Sequence, residues 1–177
     1  MATKPVKWLQ IDEKGLQVAL AQAKKGYDEG GIPIGSAILI PKDQAGPPEQ
    51  DGSNAYHLLG QGHNQRIQKL SPILHGEMAA LEDAGRLKPE IYRKATIYTT
   101  LSPCSMCTGA ILLYKVPRVV IGENQTYLGS EDLLRSHGVE VIVVDSHDCK
   151  ELMQQFIRER PKDWDEDIGG GGSTIVT

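Results

Sequence analysis

Cysteine is scarce in this chain. Three cysteines in 177 residues are an odd count and too few for the disulfide framework that staples small secreted domains. Positive charge is short as well: 19 Lys and Arg against 23 Asp and Glu leave a net charge of −4 and a pI near 5.7. A surface that tracks nucleic-acid phosphates needs clustered basic residues, so no nucleic-acid partner is expected and a small molecule or a protein fits better. The opening stretch MATKPVKWLQIDEK has no apolar run of the signal-peptide kind. The expected location is the cytoplasm, with the nucleus also open. There is no internal repeat, and no low-complexity tract beyond a short Gly run near the end. With 40% hydrophobic and 24% charged residues, the default is an ordered globular protein.

One apparent membrane signal dissolves on inspection. The 20 residues between Lys94 and Lys115 carry no charge, which is the length of a membrane span. Six Ser/Thr hydroxyls, Pro103 and two thiols interrupt the run, however. Its first half, ATIYTTL, is β-rich and its second, SMCTGAILLY, is helical, so a buried strand followed by a buried helix is expected and no membrane partner.

What is present suits one domain with its own core. Leu16, Ala19, Leu20, Ala23 and Tyr27 recur at helical spacing over 15–27, and Gly30-Gly31 ends the pattern. Strands are predicted over 34–40 and in HLLGQG, joined as a hairpin by a long Pro/Gly/Asp-rich insertion at 43–58. After the loop HNQRIQKLSPIL come a helix ending at Gly85, strand 95–100, helix 105–114, strand 118–122, a short helix near 130–136, strand 139–144 and helix 147–159. This alternation predicts an α/β layer protein with a parallel portion to its sheet. The ending divides into an acidic PKDWDEDI segment and a flexible appendage over 169–177.

The pair Cys104-Ser105-Met106-Cys107 opens the helix at 105, directly after a strand. By itself CxxC is compatible with a redox pair, a structural zinc or a catalytic zinc. A closed structural site wants four protein ligands and no second pair is offered, whereas a catalytic site wants three and an open position. His75, in LHGEMAAL, can be the third if adjacent parallel strands bring both helix N-termini to one sheet edge. The positive ends of those helices favour the thiolates that zinc needs. Glu77, two residues on, then leans over the open position. Zinc lowering the pKa of its water towards about 7, with a carboxylate beside it to move protons, suits attack on an electrophilic carbon. The order His75-Gly76-Glu77, then Pro103-Cys104-Ser105-Met106-Cys107, is the known signature of zinc nucleobase deaminases. Cys149 lacks any such partner and reads as structural, and His57, His63, His137 and His147 as surface or satisfied polar groups.

Beyond the motif, residues 12–168 resemble the fungal cytosine deaminases in EGGIPIG, GHNQR, LHGE, IYTTLSPCSMCTGAI, VVIGEN and QFIRERPKDWDEDIG. The resemblance implies a three-layer α/β/α cytidine-deaminase-like fold with a central mixed sheet of about five strands. It implies a single deaminase domain over 1–168 with a C-terminal lid near 161–168, a homodimer, and one zinc per subunit on His75, Cys104 and Cys107. The implied reaction is hydrolysis of free cytosine to uracil and ammonia in pyrimidine salvage, a zinc-bound hydroxide attacking C4 with Glu77 as proton shuttle. Asn64 and the backbone of Gly76 would hold the carbonyl oxygen of the base and Asp167 a ring N–H, while Ile34, Tyr127 and Trp164 line or cover the ring. Two positions depart from the family pattern: Tyr127 stands where Phe is expected, and Asp165 where an aromatic is expected after Trp164. The motif residues alone leave open a deaminase of another base or nucleoside (cytidine, adenine or adenosine, guanine), and a non-enzymatic zinc or thiol binding module.

Overall fold

The computed structural model describes residues 9–42 and 56–170. Most of the long 43–58 insertion and the appendage beyond Gly170 therefore lie outside the described residues. The element order is α1 (Gln10–Asp28), β1 (Gly35–Pro41), β2 (Tyr56–His63), α2 (Arg66–Lys69), α3 (Gly76–Ala84), α4 (Pro89–Tyr92), β3 (Thr96–Leu101), α5 (Ser105–Tyr114), β4 (Arg118–Glu123), α6 (Glu131–Ser136), β5 (Glu140–Val143), α7 (His147–Glu159) and α8 (Pro161–Asp167).

One five-stranded mixed sheet in the order β2-β1-β3-β4-β5 organises the molecule. β1 pairs antiparallel with both β2 and β3, while β3, β4 and β5 run parallel. Both sheet faces are covered, which is why β3 and β4 are buried along their whole length rather than at alternate residues. Ile38, Ile97, Val119, Ile121 and Val141 point to one face, with Ala80 and Leu81 of α3, Ile111 of α5 and Leu134 of α6. Ala37, Leu39, Tyr98, Val120 and Ile142 point to the other, with Ala19 of α1. The period of two along each strand delivers side chains alternately to the two cores. A third cluster joins Ile32, Ile34 and Leu101 to Met153, Phe156 and Ile157 of α7 and Trp164 of α8.

Several expectations need correction. α1 begins five residues earlier than its apolar pattern, and its buried face is Asp12, Gly15, Ala19, Ala23 and Gly26, with Leu16 and Leu20 only half-buried. Small residues win that face because α1 lies close over the sheet, against the ring of Tyr98. The stretch read as a loop at 63–74, and the one between Gly85 and the strand at 95–100, each contain one helical turn, α2 and α4. Local turns of this length carry no periodic signal. The segment at 161–168 is helical, started by Pro161 at its first position, and Trp164 is 1% exposed, so this part of the proposed lid is also core. Finally, the strands that feed α3 and α5 are not adjacent. β2 and β3 point the same way, but β1 lies between them.

At the end of the sheet where β3 and β4 begin, Asp12 is fully buried and takes a bidentate contact from Arg118, with its NH2 2.8 Å from Oδ2, together with the Tyr98 hydroxyl at 3.0 Å. Arg118 Nε also donates to Glu140 at 2.9 Å. Removing one member of such a buried pair strands the other. Arg118→Met is expected to lower stability by about 3 to 5 kcal/mol in urea titration. Because this cluster sits at the strand ends opposite the cavity described below, metal content and turnover of the variant should match the parent while it stays folded.

Candidate active site

The chain's chemical groups gather at one edge of the sheet. Antiparallel pairing puts the start of β1 beside the ends of β2 and β3: Gly35 faces His63, and Ser36 faces Thr99. Leu101 at the end of β3 faces Glu123 at the end of β4. Ile34, Asn64, Ser102 and the 124–129 loop therefore converge, and the helices α3 and α5 begin there.

His75 is the N-cap of α3 and Cys104 the N-cap of α5, and neither makes a side-chain capping bond to its own helix. An N-cap side chain projects from the end of the helix, beside N–H groups that have no intrahelical partner. Cys107 stands in the first turn of α5 and is fully buried. Its sulfur, that of Cys104 and the imidazole of His75 have ligand atoms all within 4.8 Å of one another. Among the described residues this is the group of three that could hold a metal ion. Cys104 Sγ is 3.5 Å from His75 Nδ1, and the other ring nitrogen, Nε2, is 3.5 Å from Asp167 Oδ1. A ligating histidine steadied through its second nitrogen by a carboxylate is the usual arrangement of metal sites. The donor set of one imidazole and two sulfurs suits zinc in a three-ligand, open site.

Glu77 is 3% exposed and its Oε1 accepts from Thr99 Oγ1 at 3.1 Å. Thr99 reaches α3 from the sheet because it shares a face with Ile97 and Ile38. This residue was missed in the sequence. The available signal was a hydroxyl in a strand buried along its whole length.

His75, Glu77 and Cys104, with Ile34, Arg66, Leu101, Ser102, Tyr127, Trp164 and Asp167, line a cavity of about 390 Å³. Tyr127 meets Trp164 edge to face at 6.1 Å, so the two departures from the family pattern differ in consequence. Tyr127 retains the aromatic wall, whereas Asp165 is exposed and outside the lining. Asn64 and Gly76 sit behind the wall. Asn64 Nδ2 donates to both oxygens of Asp167 at 3.1 Å while its Oδ1 accepts from Arg66 N at 2.9 Å. Asn64 thus holds Asp167 in place. Gly76 packs under β1, where a Cβ would lie 2.9 Å from the Ile34 carbonyl oxygen, so a larger residue would push the start of α3 away. At the mouth, Arg66 pairs with Glu166 at 2.9 Å.

The electrostatics follow from the crowding. Burial raises the Glu77 carboxyl above its ordinary range, and the charge of Cys104 adds to this. Burial also raises Asp167, opposed by His75 and Asn64. Cys104 is held down at about 4 by hydrogen bonding from Cys107, against burial and with the help of His75. Cys107 moves up, because it shares its proton with Cys104 and is itself buried. Burial draws His75 down, but the sulfur of Cys104 and the carboxylate of Asp167 outweigh it and lift His75 to about 9.

The comparisons with known proteins agree with this geometry. Residues 9–123 match the model of the cytidine and deoxycytidylate deaminase zinc-binding region. The chain belongs to this family of zinc-dependent deaminases, and zinc is the metal that its His75, Cys104 and Cys107 group can hold. It is 60% identical over 158 residues to a cytosine deaminase of Candida albicans, covering 89% of this chain and 97% of that protein. It is also 32% identical to a tRNA-specific adenosine deaminase of Streptococcus pyogenes, over 81% of this chain and 88% of the relative. Among solved structures, a tRNA:A34 deaminase superposes with a TM-score of 0.61 at 20% identity over 79% of this chain and 99% of its own. A guanine deaminase of Nitrosomonas europaea does so with 0.56 at 14%, over 87% and 96%. At these identities the two structures bear out the cytidine-deaminase-like fold.

A prediction follows from the protonation of the metal-free site. At pH 7 Cys104, at about 4, is already thiolate, whereas His75, at about 9, and Cys107 both hold protons. Zinc needs all three deprotonated, so loading at pH 7 should release about two protons, and affinity should weaken as pH falls. Calorimetry in buffers of different ionisation enthalpy measures the number. Release of about three would show that Cys104 is a neutral thiol.

Proposed function

We propose that the protein hydrolyses free cytosine to uracil and ammonia, recovering a pyrimidine base. The observation that carries this reading is the cavity itself: Glu77, His75 and Cys104 form one wall with Cys107 buried beside them, and Asp167 of α8 faces them with its carboxylate oriented by Asn64. The similarity to the Candida cytosine deaminase supports cytosine as the base.

His75, Cys104 and Cys107 would hold the zinc. When bound there, it supplies a Lewis acid able to lower the pKa of a water towards about 7. Glu77 moves the protons. Its raised proton affinity, caused by burial, lets it take a proton from the attacking water and deliver it to the ring nitrogen N3, which makes C4 more electrophilic. The same carboxylate then takes the remaining water proton from the new C4 hydroxyl and passes it to the amino group as the C4–N bond breaks, so water and cytosine become uracil and ammonia. Thr99 Oγ1, which lies 3.1 Å from the Leu101 carbonyl as well, sits beside one oxygen of Glu77. Asp167 accepts a ring N–H, and its place on α8 leaves little room for a sugar on that side. Ile34, Tyr127 and Trp164 sandwich the ring and exclude water. Asn64, behind the wall with its amide on Asp167, acts by orienting that carboxylate.

We further infer a homodimer. Leu113 and Tyr114 on α5 and Leu133 on the adjoining α6 are 73%, 43% and 43% exposed, and this apolar surface is the one offered to a second copy. A site built on two unpaired thiols suits a reducing compartment such as the cytoplasm.

Ammonia release from cytosine, cytidine and adenine, offered separately to the zinc-loaded protein, tests the substrate. Turnover of cytosine alone is expected. Preference for cytidine or adenine would overturn the pocket assignment and keep the zinc chemistry. Glu77→Gln should retain zinc and lose at least about 10²-fold in kcat, the usual contribution of a positioned acid–base group. Rates near those of the parent would remove Glu77 from the mechanism.

A further inference from the structure

One buried carboxylate next to the cavity has no part in the reaction described above. Glu131, the first residue of α6, is 3% exposed. Its Oε1 accepts from Ser102 Oγ at 2.8 Å and from Asn124 Nδ2 at 3.0 Å, and its Oε2 accepts from Arg135 at 3.0 Å. A carboxylate taken out of water needs such partners. Their positions along the chain are what give this one a use.

Ser102 lines the cavity two residues before Cys104, and its hydroxyl, while donating to Glu131, accepts from the backbone N–H of Gly129 at 3.0 Å. The next carbonyl, that of Pro103, accepts from Ser130 N at 3.0 Å and from Thr108 Oγ1 at 3.3 Å. The two segments touch: a Cβ on Gly129 would lie 2.0 Å from the Pro103 oxygen. Two residues before Gly129 stands Tyr127, the aromatic wall of the cavity. Asn124, at the other end of the same loop, is tied to Glu131 directly. The turn that delivers Cys104 and the loop that delivers Tyr127 therefore share one anchor.

We propose that Glu131 is a positioning residue for the deaminase site: by holding the Ser102 hydroxyl and the Asn124 amide it sets where Cys104 and Tyr127 stand relative to each other. Glu131 touches neither group. It acts on zinc through the 102–104 turn and on the base through the 124–129 loop, and the inference rests on the zinc-deaminase reading of the site.

The test uses the full chain loaded with zinc, and reads zinc transfer to a chromophoric chelator, kcat and KM for cytosine, and Tm. Outer partners of a metal site are worth about 10 to 100-fold in affinity or activity. Glu131→Ala is expected to give up zinc about 10-fold faster and to raise KM by a similar factor, with a smaller change in kcat. Glu131→Gln, which keeps an acceptor for Ser102, should release zinc near the parental rate. Leu134→Val, a cavity in the same helix at a residue 0% exposed, supplies the comparison for mere loss of stability: it should lower Tm and leave zinc release unchanged. Equal acceleration in Leu134→Val and Glu131→Ala at matched Tm, or parental zinc release and KM in Glu131→Ala, overturns the proposal. Should Glu131→Ala not fold, Ser102→Ala removes the shared hydroxyl alone and decides by the same two readouts. Zinc transfer is read without substrate, so a parent that holds zinc and fails to turn over cytosine defeats the substrate assignment while the comparison of release rates still judges Glu131.

Discussion

The antiparallel seam between β1 and β3 is the constraint on which the site stands. Ser36 lies opposite Thr99, and Gly35 N donates to Thr100 Oγ1 at 3.1 Å, which ties the first residue of β1 to the next-to-last residue of β3. A slip of one residue along this seam would send Thr99 to the α1 face and Tyr98 towards Glu77, because strand side chains alternate. The register thus decides that it is Thr99 whose hydroxyl meets Glu77. It also sets the height of Ile34, whose carbonyl accepts from Asn64 N at 2.8 Å and abuts Gly76 at the start of α3. Apolar packing on both faces holds the register, since Ile97 and Tyr98 would each lose a core if the strand moved.

On this frame the site concentrates groups that would repel or desolvate one another elsewhere. Two thiols, one imidazole and two carboxylates share a small buried volume at the starts of two helices. Without metal, the charges balance only by holding protons in unusual places: on His75 and Cys107, with Cys104 ionised. A divalent cation replaces those protons with a charge at the centre, which is the arrangement the donor set is shaped for. Glu77 remains just outside it, in a setting that favours its protonated form more than water does. That is the property a proton carrier needs.

The cavity is closed by elements distant in sequence. α8 brings Trp164 and Asp167 over it, packed on α7 through Met153 and Phe156, while Asn64 and Arg66 bind α8 from the opposite rim. Closure therefore combines core packing at Trp164 with polar contacts at Asp167 and Glu166. The loop from Asn124 to Gly129 supplies the remaining wall, stiffened from within by Glu123, whose carboxylate accepts from Gln125 N and Thr126 N and from the Thr126 hydroxyl.

By itself the sequence determined the chemistry and the elements that carry it. His75, Glu77, Cys104 and Cys107 were legible because each pair is local, and helix 105–114, helix 147–159 and the strands were legible because their apolar periods are local as well. The likeness of GHNQR and DWDEDIG to a known family pointed to Asn64, Trp164 and Asp167, which no period or spacing could have chosen. Only the tertiary structure decided what those residues hold. Strand β1, inserted between β2 and β3, brings His75 to Cys104, and the fold turns Asn64 on Asp167 and Thr99 on Glu77. It also ties Ser102 to Glu131 across 29 residues. These are contacts between separate segments, fixed by strand order and register, and a one-dimensional pattern records which side chains are available but not which of them the sheet will bring face to face.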